Sequence, residues 1–211
     1  MYRLQDEEDG DDAPEQKPDA NGADRNAASM TDAVRDRLFD ARTLIISGEI
    51  NQKLVAHVMG QLLAMAAADE KKPITIFINS QGGHVESGDT IHDVIRFIKP
   101  RVRMVGTGWV ASAGALIYVS VPREDRFALP NTRFLLHQPA GGASGMAADV
   151  EIEAREILRM RERINKIFAR ETGQPFERIE TDTHRNFWLD ASQAVDYGLV
   201  GKVIAGVDEL D

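Results

Sequence analysis

The chain has 211 residues, 43% of them apolar, which suits one globular domain with a sizeable core. It has no cysteine, which excludes disulfides, thiolate nucleophiles and cysteine-based zinc sites. The formal charge of −9, with no basic stripe, argues against a nucleic-acid partner.

The acidic residues 1–15 are unlike a secretory signal, and the apolar-rich stretch at 110–121 is shorter than the ~20 residues that cross a bilayer. A soluble cytoplasmic protein with no membrane partner is expected. Residues 1–29 carry nine acids against three bases and almost no large apolar groups. They cannot bury enough surface to offset ordering entropy, so they read as a disordered acidic tail, with the domain over 30–211. Thr31 can cap a short helix to about residue 40, and 43–47 (TLIIS) reads as a buried strand. Over 51–69, Leu54, Val55, Val58, Met59, Leu62 and Leu63 recur at helical spacing and give one apolar face. A second strand, 73–79 (PITIFIN), ends at Gln81-Gly82-Gly83. A helix follows over 86–98 with Ile91, Val94, Ile95 and Ile98 inward, then a third strand over 102–106. Residues 112–121 read as a buried helix, and 126–137 as strand interrupted by Pro130. A glycine-rich link leads to a long charged helix over 147–171, stopped by Gly173. A short helix over 190–197, stopped by Gly198, and a strand near 202–205 close the chain. Strands alternating with helices predict an α/β fold of repeated strand–turn–helix units with parallel pairing and no second domain.

Two strand-to-helix junctions can do chemistry. At Asn79-Ser80-Gln81-Gly82-Gly83, paired glycines allow a sharp turn that exposes backbone N–H groups, as an oxyanion site requires. A tight turn also needs glycine for steric reasons alone. At 108–115 (GWVASAGA), Ser112 opens a helix among small residues and beside unpaired N–H donors. On that segment alone, an ordinary N-cap is the simpler reading. His137 shifts the balance. It ends the buried strand Phe134-Leu135-Leu136 and precedes Gln138-Pro139 and the glycine link, so it is placed to point into a cleft. An imidazole there can take a hydroxyl proton and return it to a leaving amine. His57 and His92 fall on helices, His84 and His184 in or near turns. None has the acidic spacing of a metal site, and neither metal nor other cofactor is expected.

Taken in order, these segments resemble the ClpP proteolytic subunits of ATP-dependent Clp proteases. The likeness spans about 32–204. It rests on Ile78-Asn79-Ser80-Gln81-Gly82-Gly83, Phe97-Ile98-Lys99-Pro100, Ala111-Ser112-Ala113-Gly114-Ala115 and Leu129-Pro130-Asn131 through His137-Gln138-Pro139. Ala154-Arg155-Glu156-Ile157-Leu158 and Ala194-Val195-Asp196-Tyr197-Gly198-Leu199-Val200 follow. The resemblance implies a ClpP/crotonase-like α/β fold with a protruding long helix for ring assembly. It implies Ser112 as nucleophile, His137 as general base, and the N–H groups of Gly83 and Ala113 as oxyanion hole. The activity implied is a serine endopeptidase acting on unfolded proteins. Such subunits form two stacked heptameric rings, a tetradecamer, from one chain or mixed with a paralogue. An AAA+ unfoldase such as ClpX or ClpA feeds them.

Three positions depart from that pattern. The third triad member, an aspartate in the family, falls on Asn186. An amide oxygen can accept the imidazole Nδ1–H but cannot stabilise an imidazolium by charge, and the equivalent exchange in a serine protease costs about 10⁴ in rate. A slow or conditionally active enzyme is expected; Asp182 and Asp190 are the less favoured alternatives, as substitute carboxylates. His184 replaces an acid next to Arg185, whose family counterpart pairs across the ring junction. An imidazole there repels once protonated, so ring stacking is expected to weaken below about pH 6.5. Thr75 replaces an aromatic residue where the unfoldase docks. Two other readings stay open. One is a catalytically weak structural partner in mixed rings; the other is a crotonase-type enzyme acting on acyl-coenzyme A, which shares both junctions.

Overall fold

The computed structural model describes residues 33–142 and 144–210; the tail expected at 1–29 and the Thr31 cap lie outside the described residues. A first helix, α1, covers 33–40. Apolar strands then set the architecture. β1 (Thr43–Ile50), β2 (Ile74–Gly83) and β3 (Val102–Ala111) pair in parallel and bury Leu44, Ile46, Ile76, Ile78 and Met104 in one core. Parallel neighbours need crossovers, and α2 (Gln52–Ala68) and α3 (Val85–Phe97) supply them. Asn51 caps α2 by accepting from Leu54 N. The helix turns Val55, Val58, Leu62 and Met65 inward. Leu63, expected on that face, is 42% exposed, because it lies one step round the helix from buried Leu62.

β3 forks. Met104–Gly106 pair with β4 (Arg126–Ala128), and Trp109–Ala111 pair with β5 (Arg133–Leu136). From the end of β3 the chain turns into α4 (Ala113–Tyr118), buried at every residue, and the Tyr118 hydroxyl donates to Phe127 O at 2.8 Å. β7 (Lys202–Val203) joins β4, while β6 (Phe187–Asp190) joins β5. The expected α/β class holds, and all pairings are parallel except β5 with β6. The charged helix α5 (Ala147–Thr172) is capped by Gly173. α6 (Phe176–Asp182) follows, and Asp190 with Gln193 closes a capping box on α7 (Ala191–Tyr197).

β2 and β3 run past the ends expected at 79 and 106. Each is paired up to its junction, so ladder hydrogen bonds carry the strand through glycines that interrupt the apolar alternation. α4 is correspondingly shorter than 112–121. Periodicity does not show α6 or β6, which span seven and four residues.

Candidate active site

The carboxyl ends of β2, β3 and β5 lie side by side, the place where open α/β sheets hold their ligands. Ser112 follows the last β3–β5 pair, Ala111 with Leu135, and its N–H donates to Leu135 O at 2.9 Å. Its backbone sits at φ 55, ψ −122, a left-handed conformation that costs a non-glycine residue about 1–3 kcal/mol. The side chain makes no capping bond to α4. The N-cap reading therefore has no support, and the strain points to a functional turn.

The two glycine positions explain why the junctions can meet. A Cβ on Gly82, at φ +95, would stand 2.6 Å from Ser112 Cβ and 3.2 Å from Ala113 N. A Cβ on Gly83, at φ +149, would stand 2.9 Å from Ile50 N on β1. Only bare backbone fits between the serine turn and β1. Ser80 holds the loop from behind: its hydroxyl donates to Gly48 O at 2.5 Å and accepts from Gly82 N at 3.0 Å.

His137 is the residue after β5. Ser112 and His137 line one narrow cleft with Val85, Leu116, Ile164 and Phe168. Ser112 Oγ and the His137 ring make no hydrogen bond among the described residues; such bonds commonly tighten only when substrate is bound. Asn186 arrives from the other side. The antiparallel register ends at Leu136 with Phe187, so His137 and Asn186 are the residues directly beyond its last pair. Asn186 is exposed.

The substitute carboxylates are engaged elsewhere. Asp182 Oδ2 accepts from the Tyr197 hydroxyl at 2.8 Å and lies 3.5 Å from Arg178 Nε. Burial, with Asp182 adding to it, pushes the Tyr197 phenol well above its ordinary pKa, so it stays a donor. Asp190 caps α7 by accepting from Gln193 N, and its backbone lies opposite Arg133 at the far end of β6. Arg185 and His184 are exposed, and the Arg185 guanidinium has no partner among the described residues. His84 bridges Ser87 Oγ (2.9 Å) and Glu86 Oε2 (3.2 Å), and His92 is buried beside Asp93. Among the described residues no cluster of three His, Asp or Glu could hold a metal.

The residues missed in the sequence are Gln138 and Thr183, which join the strand end carrying His137 to the turn before Asn186. Their contact spans 45 positions (183 minus 138), which no local pattern reveals. The apolar wall supplied by Ile164 and Phe168 of α5 was equally invisible, because that helix reads as charged.

The family model described as Clp protease matches residues 26–207. The chain belongs to the Clp protease family. It is thus a serine-type peptidase, and the acyl-coenzyme A reading falls away. An ATP-dependent Clp protease proteolytic subunit 3 from Rhizobium etli is 60% identical over 82% of this chain and 89% of its own. Proteolytic subunit 2 from Gluconobacter oxydans is 53% identical over 99% of this chain and 92% of its own. Among solved structures, ClpP1 from Listeria monocytogenes superposes with a TM-score of 0.76 at 56% identity, covering 84% of this chain and 99% of that one. An asparagine-to-aspartate variant of that ClpP1 gives 0.79 over the same shares. No described helix of this Clp protease family member is long and apolar enough to cross a membrane.

Proposed function

We propose that the chain is the proteolytic subunit of an ATP-dependent Clp protease, with Ser112 as nucleophile, His137 as general base and Asn186 as the group that orients the imidazole. One observation supports this reading above others: Ser112 directly follows the last β3–β5 pair, His137 and Asn186 lie directly beyond the last β5–β6 pair, and Ser112 is strained and faces bare glycine. His137 takes the Ser112 proton as the hydroxyl attacks a peptide carbonyl. The resulting oxyanion accepts from Gly83 N–H and Ala113 N–H, each such donor contributing about 2.7–4 kcal/mol to the transition state. His137 then protonates the leaving amine, and water cleaves the acyl-enzyme by the same route.

The names of the relatives support an ATP-driven assembly. The subunits are assigned to two stacked heptameric rings served by an AAA+ unfoldase of the ClpX or ClpA kind in the cytoplasm, with unfolded proteins as substrate. The first half of α5 exposes Val150, Ile152 and Leu158, with Met146 at its cap, an apolar surface that suits ring-to-ring contact, and Arg185 is a second candidate contact. The peptidase domain is taken as 30–211, with the acidic 1–29 as a leader outside it.

Native mass and cleavage of a fluorogenic peptide, measured together for wild type and Ser112→Ala, test the proposal. A 14-subunit mass in both, with cleavage lost only in Ser112→Ala, supports it; cleavage surviving in Ser112→Ala overturns it.

A further inference from the structure

The ladder of β5 and β6 stops at Leu136 and Phe187, so nothing in it holds the backbone at His137 or Asn186. The next residue is held instead. Gln138 N donates to Thr183 O at 2.7 Å, and Gln138 Nε2 donates to His184 O at 2.8 Å. Both acceptors lie in the turn between α6 and β6, three and two residues before Asn186. That turn is fastened from behind as well. Thr183 is fully buried, and its hydroxyl bonds Asn165 Oδ1 on α5 at 3.1 Å and Ile179 O at 2.7 Å.

This arrangement bears on the exchange of aspartate for asparagine. A carboxylate attracts an imidazolium through space and draws a loosely held ring into line. An amide offers only a dipole, whose pull falls off faster and depends on orientation. A His–Asn pair therefore depends more heavily on being placed by its backbone.

We infer that Gln138 is a positioning residue: its two-point clamp on the Thr183–His184 turn sets His137 against Asn186 and supplies by geometry what a missing carboxylate would supply by charge. The inference rests on the assignment of Ser112, His137 and Asn186 as the reacting group.

The test is a double-mutant cycle in the assembled protein, combining Gln138→Leu with Asn186→Asp. Rates of Ser112 labelling by a fluorophosphonate are read with kcat and KM for a fluorogenic peptide. In the wild-type background Gln138→Leu should lower labelling and kcat about tenfold or more, leaving KM, native mass and thermal midpoint unchanged. In the Asn186→Asp background the same change should cost about threefold or less, because the carboxylate then holds the ring. Equal losses in both backgrounds, or no loss in the first, overturn the clamp. If Gln138→Leu assembles poorly, Thr183→Ser against Thr183→Val asks the same question one bond further on. Serine keeps the hydroxyl and should keep kcat, whereas valine should lose it; indistinguishable variants sink the proposal. Labelling or cleavage that persists in Ser112→Ala instead overturns the site assignment itself.

Discussion

Arg126 Nη2 lies 2.7 Å from Glu171 Oε2, and the arginine side chain is completely buried. The guanidinium also donates to Val121 O, Val119 O and Glu171 O, so it ties β4, the end of α4 and the end of α5 into one knot. Burial pulls the Arg126 pKa down and the Glu171 carboxylate restores part of it. Removing the carboxylate leaves a buried cation without its counter-charge, which costs about 3–5 kcal/mol. Glu171→Ala should therefore lower the thermal midpoint by roughly 10 °C in a scanning fluorimetry trace. Glu171→Gln keeps an acceptor and should lose less than half of that. Equal losses for the two variants would show that charge is not what matters here.

The strain at Ser112 is a cost borne by the fold. At φ 55, ψ −122 glycine is the comfortable residue, so Ser112→Gly should be more stable than Ser112→Ala by about 1–2 kcal/mol, and neither should cleave peptide. Gly82→Ala probes the same contact from the other side. Its Cβ would stand 2.8 Å from Ala111 O and 2.6 Å from Ser112 Cβ, so the serine turn must move. Fluorophosphonate labelling of Ser112 should fall by about 10²-fold or more, the effect of an ångström-scale displacement. A Gly82→Ala protein that labels normally would contradict the packing described.

Much of this site is legible in the sequence because its parts sit at element ends. Gly82 lies at the end of an apolar strand, Ser112 and His137 each follow one, and the Asp190 cap and the Gly173 stop mark their helices directly. What stays hidden depends on long-range pairing. Nothing local says that β3 forks to serve both β4 and β5, yet that fork carries Ser112 to the strand of His137. β6 is four residues long and pairs antiparallel, against the expected trend, and its last pair, Leu136 with Phe187, lies next to His137 and Asn186 in the chain. Arg126 was invisible too, since an arginine preceded by Glu124 and Asp125 reads as surface until Glu171 closes over it 45 residues later.

Asp89 gives a pH-dependent prediction. It pairs with Arg163 of α5 at 2.5 Å, yet its carboxyl pKa is raised, because burial outweighs the guanidinium. A raised carboxyl pKa means the native state binds the proton more tightly than the unfolded chain. The stabilising contribution is complete below the unfolded pKa, close to 3.8, and is lost as pH rises through the native value. At neutral pH ionised Asp89 is thus a liability, partly offset by Arg163. Asp89→Asn should hold or raise the thermal midpoint at pH 7, and any advantage should shrink as the pH falls toward 4. A clear loss at pH 7 would mean that the ion pair outweighs desolvation after all.

Asn186→Asp addresses the rate directly. Residues 137 and 186 directly follow and precede the last β5–β6 pair, and the two candidate substitutes, Asp182 and Asp190, are bonded to other groups among the described residues. A new carboxylate would accept the imidazole Nδ1–H, fix the productive tautomer and stabilise the imidazolium as the serine proton moves. In a serine protease this group is worth about 10⁴ in kcat. Position 186 is exposed, where water screens the charge, so a smaller gain of about 10–10²-fold is expected. The gain should fall on kcat rather than KM, because the carboxylate acts on the base and touches no substrate. Peptide hydrolysis by Asn186→Asp at a rate equal to or below wild type would mean that Asn186 does not orient His137, and the third position of the site would have to be sought elsewhere on the turn that Gln138 holds.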